Sequence, residues 1–248
     1  MKMIVVLSAN AGCSVTMGGI RFWIDALHDK RTPPYQPVSP DLFSAIMEHP
    51  DFTAPDLIIY THAHGDHYSP EMTEAALRHF PKADVFTPFA VPRPFPYGKD
   101  LQFDCGGVHF HFFPLPHEGA EYSDVPLYGF TASCGGHTLL VPGDCTVGAP
   151  ALSRSLEQAE EGSVLPERSV SEKRIDCAIV DFPWASLRRG QNLLRALGIR
   201  HLLVCHFPPS EEDGGRYIEL TERAVRRLES IDVRLLKQPL QREVIELN

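Results

Sequence analysis

The stretch Asp56-Leu57-Ile58-Ile59-Tyr60-Thr61-His62-Ala63-His64-Gly65-Asp66-His67-Tyr68-Ser69-Pro70-Glu71 decides how the chain folds. Its first six residues are an apolar run that reads as a buried strand. Ser69 followed by Pro70 reads as a helix start: a hydroxyl N-cap, then proline where the missing N–H would have no helical partner anyway. Between strand and helix, three imidazoles and a carboxylate share one short loop. Imidazole and carboxylate are ligands that first-row divalent metals accept from a protein. The spacing lets His62 and His64 point one way while Asp66 and His67 point another.

Outward from this loop, further apolar runs end in donors of the same kinds. Val108-His109-Phe110-His111-Phe112-Phe113 alternates like a strand and leads to Pro114-Leu115-Pro116-His117. His109 and His111 share one face by alternation, read as the polar side of a sheet. Thr138-Leu139-Leu140-Val141 runs into Pro142-Gly143-Asp144, with Cys145 next to it. Ile175 to Asp181 is another strand ending in a carboxylate, which reads equally as a helix cap or as a group beside the site. His201-Leu202-Leu203-Val204-Cys205-His206 closes the series. His201, at the strand start, belongs to the opposite edge of the sheet.

The loop His62-Ala63-His64-Gly65-Asp66-His67 resembles the HxHxDH signature of the metallo-β-lactamase-fold hydrolases. The resemblance implies an α/β protein built as a four-layer αββα sandwich, one domain over residues 1–248. It also implies two metal sites: His62, His64 and His117 on one ion, Asp66, His67 and His206 on the other, and Asp144 shared between them. Cys145 could ligate zinc in principle, as in true β-lactamases of this fold, but Asp144 is the better donor because the loop carries the His67 position that those enzymes lack. Two divalent ions held about 3.5–4 Å apart share and deprotonate a water, and the resulting metal-bound hydroxide is the expected nucleophile. Asp66 would orient it and collect its proton. Ligand softness favours zinc, with manganese or iron compatible with the same donors. Asp25, after the hairpin at Gly18-Gly19, is either a turn carboxylate or the aspartate that braces the metal loop. Asp25 and Asp181 are candidates to fix the tautomers of the ligand histidines.

The remaining readings are organisational. His28 to Pro40 is a stiff proline-rich loop that either walls the cleft or crosses the surface. Asp41 to His49, Glu71 to Phe80, Leu187 to Leu197 and Tyr217 to Ser230 read as helices. Residues 150–173 read as an amphipathic helix and a loop through Gly162-Ser163. Pro88 to Tyr97 interleaves four prolines with aromatics, a pattern that suits packing at a cleft rim or an interface. The opening Lys2 to Leu7 is too short and too interrupted for a signal peptide and reads as a strand.

The charge balance, 23 basic against 32 acidic residues for a net −9, argues against nucleic acid or an anionic membrane as partner. The composition, 43% hydrophobic and 22% charged, is that of a globular protein. Six cysteines without CxxC pairing read as reduced thiols of a cytoplasmic protein. The short connection from His117 to Asp144 leaves no room for a long tRNA-gripping arm, and the short tail after His206 disfavours a glyoxalase II. The motif is most similar to the compact bacterial branch that includes ascorbate-6-phosphate-lactonase-like proteins. That resemblance implies a small-molecule substrate, expected to be anionic, with a lactone or phosphoester bond. The alternative is a metal-binding sensor or diiron redox protein of the same fold.

Overall fold

The computed structural model describes residues 1–89, 98–148, 150–161 and 175–248. The proline-aromatic segment at 90–97 and the loop through Gly162-Ser163 lie outside the described residues. Among the described residues, thirteen strands form two sheets. The first runs in the order β13 (Arg242–Glu246), β1 (Lys2–Leu7), β2 (Cys13–Met17), β3 (Ile20–Ile24), β4 (Leu57–Ile59), β5 (Asp84–Phe86). The second runs β12 (Asp232–Leu235), β11 (His201–Cys205), β10 (Cys177–Asp181), β9 (His137–Val141), β8 (Leu127–Cys134), β7 (Val108–Leu115), β6 (Leu101–Cys105). In each sheet an antiparallel half, made by hairpins, adjoins a parallel half, made by helical crossovers.

The alternation of the strands explains the layering. Val5, Val15, Phe22, Phe110, Phe130 and Leu203 point between the sheets into one core. The opposite faces are also apolar. Val6, Trp23, Ile58 and Tyr60 pack under helices α1 (Pro40–Glu48) and α2 (Pro70–His79). Leu140, Val180, Leu202 and Val204 pack under α3 (Pro150–Glu161), α4 (Phe182–Ser186), α5 (Arg188–Ala196) and α6 (Tyr217–Val225). The result is the expected αββα sandwich, in which strands buried on both faces read as continuous hydrophobic runs. Ser69 caps α2 as its sequence predicts, accepting a hydrogen bond from Met72 N at 3.3 Å.

Three local readings change. His109 is exposed beside Asp104, but His111 is buried, because by alternation it shares the face of Phe113 and Leu115, which packs into the apolar layer beneath the helices; its Nε2 lies 2.9 Å from Asp100. A short helix, α4, precedes the expected one at Arg188, started by Phe182-Pro183 directly off β10. The last helix stops at Val225, where Arg227 and Leu228 donate to carbonyls three residues back and tighten the chain into a turn. No helix among the described residues is long and apolar enough to cross a membrane, and all six cysteines are free thiols.

Candidate metal centre

The ends of β4, β7, β9, β10 and β11 meet at one edge of the sandwich. The loop after β4 carries His62 to His67. His117 follows β7, Asp144 follows β9, Asp181 ends β10 and His206 follows β11. Cross-connections lock these loops together. Glu118 N donates to Asp144 O at 2.8 Å, and the Thr146 hydroxyl donates to His117 O at 2.9 Å. His206 N donates to Asn10 O at 3.0 Å, and Asn10 Nδ2 donates to Asp66 O at 3.1 Å. The β1–β2 turn thereby ties the two sheets across the site. Asn10, Asp25 and His206 all have positive φ, at 51°, 47° and 64°. Such conformations in non-glycine residues persist where the surroundings over-determine them.

The seven sequence-predicted donors converge. His62, His64 and His117 offer ring nitrogens within 4.8 Å of one another, and so do the donor atoms of Asp66, His67 and His206. His62 Nε2 and His64 Nδ1 face each other at 3.1 Å. Asp144 stands between the triplets. Its Oδ2 lies 3.2 Å from His67 Nε2, 3.7 Å from His62 Nε2 and 3.9 Å from His117 Nε2. Asp66 Oδ2 lies 3.6 Å from His206 Nε2.

The centre is buried, and burial competes there with neighbouring charges. Burial, then the neighbouring His67, holds His62 well below the ordinary imidazole value. Burial also opposes charge on His67, but Asp144 and Asp25 outweigh it and hold that ring well above. Burial opposes charge on Asp144 too, yet His67 and His206 keep it ionised. Burial, and then Asp144, push the Asp181 carboxyl well above the usual range. Four buried atoms here have no hydrogen-bond partner: His67 Nε2, His117 Nε2, His206 Nε2 and Asp144 Oδ1. Buried polar atoms are rarely left unpaired, and orphans call for a group that completes them. Three imidazole nitrogens and a carboxylate oxygen converging on one space fit divalent cations.

Behind the donors stand residues with positioning contacts. Asp25 receives Thr61 N, the Thr61 hydroxyl and His67 Nδ1 at 2.7, 2.6 and 3.0 Å, so it braces the loop and is no mere turn residue. Asp181 starts α4 without making a side-chain cap, and its Oδ1 lies 3.7 Å from His206 Nδ1. The proline-rich loop walls the cleft through Thr32 and Tyr35. Tyr35 stacks on His206 at 4.2 Å. Tyr35, Tyr122 and Glu118 carried no signal in the sequence, because each is one residue in a loop with no periodicity around it.

No protein-family model matches the sequence, and no curated protein sequence matches it. Solved structures do match. YhfI of Bacillus subtilis, a metallo-β-lactamase fold protein, superposes with a TM-score of 0.62 at 12% identity, covering 98% of this chain and 99% of its own. The chain has the metallo-β-lactamase fold. Igni18, a metallo hydrolase of Ignicoccus hospitalis, matches this metallo-β-lactamase sandwich with a TM-score of 0.61 at 14% identity over 100% of both chains. CmlA, a diiron β-hydroxylase of Streptomyces venezuelae, matches with a TM-score of 0.62 at 14% identity over 99% of this chain. The present chain spans 54% of the length of CmlA.

Proposed function

We propose that residues 1–248 form one hydrolase domain that uses two divalent metal ions to cleave a small-molecule ester, lactone or phosphoester. The observation that carries this reading is the convergence of seven imidazole and carboxylate side chains with four unpartnered buried atoms among them. In this reading His62, His64 and His117 hold one ion, Asp66, His67 and His206 hold the other, and Asp144 serves both. Bound there, the ions supply Lewis acidity and lower the pKa of a water they share. Zinc suits the imidazole-rich donors, and manganese or iron also accept them.

The chain's own residues do the rest. Asp25 holds the His67 ring in place from behind, and Asp181 stands behind His206. The carboxylate of Asp66 takes the proton of the attacking water. Tyr35 and the loop that carries it cover His206 and limit solvent access. A net charge of −9 favours a small-molecule partner over nucleic acid, and six free thiols fit a cytoplasmic setting.

The test is elemental analysis of the purified protein together with hydrolysis of bis-p-nitrophenyl phosphate, a phosphomonoester and simple lactones, with His64→Ala as control. About two metal ions per chain, with turnover lost in the variant, supports the reading. A second reading, diiron redox chemistry, is favoured by the match to CmlA and by the mixed imidazole and carboxylate donors. Two bound irons without turnover of any ester would select it.

A further inference from the structure

A pocket of about 340 Å³ opens onto the two donor triplets. Its floor is the metal centre; its walls have a different character. Tyr122, 41% exposed, sets its ring against His64 at 4.8 Å and His117 at 5.1 Å. Tyr35 lies flat on His206, with 17° between the rings. Phe182, Pro183 and Trp184 at the start of α4 close another side. Beyond the donors, the ionisable carboxyls of the wall are Glu118 and Asp181, and no lysine or arginine lines the pocket among the described residues.

This lining bears on the charge of the substrate. Phosphate and carboxylate groups are held by guanidinium, ammonium or backbone N–H donors. Pro183, at the helix start, has no N–H to give. Arg189 is already matched to Glu118 at 3.3 Å and does not line the pocket. Beyond the ions, therefore, these walls offer a negative group the hydroxyls of Thr32, Tyr35 and Tyr122 but no cation among the described residues. They do offer aromatic faces and edges, which attract planar apolar groups.

We propose that the substrate is an electrically neutral ester or lactone whose apolar, planar arm packs against Tyr122 and the Phe182–Trp184 wall. The proposal rests on the hydrolase reading and narrows it, replacing the anionic substrate that the resemblance implied. Water adds across the acyl C–O bond: its oxygen joins the acyl carbon, the bond to the alkoxy oxygen breaks, and that oxygen takes a proton. The products are a carboxylic acid and an alcohol, joined in one molecule when the substrate is a lactone.

The zinc-loaded protein is assayed on γ-phenyl-γ-butyrolactone, γ-butyrolactone and phenyl phosphate. The phenyl lactone should exceed both others in kcat/KM by on the order of tenfold, the size of one aromatic contact. Tyr122→Ala should collapse the ratio between the two lactones, and Tyr122→Phe should keep it. A preference for phenyl phosphate, or equal rates on the two lactones, overturns the proposal. Calorimetric binding of phenylacetamide and acetamide to the same protein separates the two readings. If none of the three compounds is hydrolysed but phenylacetamide binds about tenfold tighter than acetamide, the hydrolase reading fails and the pocket assignment stands. If phenylacetamide binds no tighter, the pocket assignment fails.

Discussion

Asp25 Oδ2 lies 3.0 Å from His67 Nδ1, although 42 positions separate the two residues. The same carboxylate accepts the Thr61 hydroxyl at 2.6 Å, and that hydroxyl oxygen lies 3.0 Å from His62 Nδ1. One buried carboxylate thus orients a ring in each donor triplet and leaves both Nε2 atoms facing the centre. Asp25→Asn keeps the side-chain shape and tolerates the positive φ, but removes the charge that holds the His67 proton. The variant should bind metal about 10–100-fold more weakly while its circular dichroism stays unchanged. Competition with a chromogenic chelator measures this. Undiminished affinity would remove Asp25 from the centre's support.

Metal removal should lower stability steeply. Four orphaned buried atoms and several packed imidazoles leave the metal-free centre unsatisfied. A ligand that binds the folded chain stabilises it by about 4 kcal/mol at a thousandfold excess over its Kd. For a chain of this length each kcal/mol moves Tm by about 2–4 °C. Adding zinc to chelator-stripped protein should therefore raise Tm by roughly 10 °C. His64→Ala, which breaks one triplet, should show a smaller rise. A Tm indifferent to zinc, manganese and iron would contradict a metal centre.

His28 gives the metal-free protein a pH dependence of its own. The ring is fully buried, its Nε2 is 3.4 Å from Ala9 O, and its Nδ1 has no partner. Burial, followed by repulsion from His67, lowers its pKa from 6.5 to about 4. Above pH 6.5 the ring is neutral in both folded and unfolded chains, so it exacts no penalty. As pH falls from 6.5 to 4 the unfolded chain takes up a proton that the folded chain refuses, and stability is lost. The loss by pH 4 is about 3 kcal/mol. Urea unfolding of metal-free protein at pH 7.5 and pH 4 should show this excess loss in the native chain relative to His28→Gln. Parallel pH profiles for the two proteins would show that His28 does not titrate in this way.

The fold was legible because its evidence is periodic and local. Apolar runs at 57–61, 138–141 and 201–205 mark buried strands whatever surrounds them, and each ends beside a donor. The donor set was legible because uncommon residue types recur at strand ends. What escaped was set by packing between elements distant in sequence. His111 looks like an outward-facing strand residue until the face it shares with Phe113 is covered. Asp181 looks like a helix cap until the placement of His206 gives its carboxyl another neighbour. Tyr35 is one aromatic in a proline-rich loop, and its stacking on His206 depends on how that loop crosses the sheet edge. Tyr122 similarly meets His64 and His117 only once β4 and β7 end side by side.

Cys145 is a neighbour of the centre whose chemistry the sequence left open, and its surroundings argue against a ligand role. Burial, then Asp181 and Glu118, push its thiol up to about 12, so an ion would have to displace its proton in a buried setting. Its Sγ donates to Thr146 O at 3.5 Å, and it packs with the apolar cluster beneath α3 and α4. Asp144 is the opposite case, ionised and reached by nitrogens of His67, His62 and His117. Cys145→Ser should keep the metal content of the native chain after dialysis. Asp144→Asn should lose much of it, and from both triplets, since Asp144 Oδ2 lies within 3.9 Å of nitrogens of both. Cobalt substitution provides a direct reading: a sulfur ligand gives an intense thiolate-to-cobalt charge-transfer band, so the native and Cys145→Ser spectra should match with no such band. A charge-transfer band that disappears in Cys145→Ser would reassign the shared position from Asp144 to the thiol.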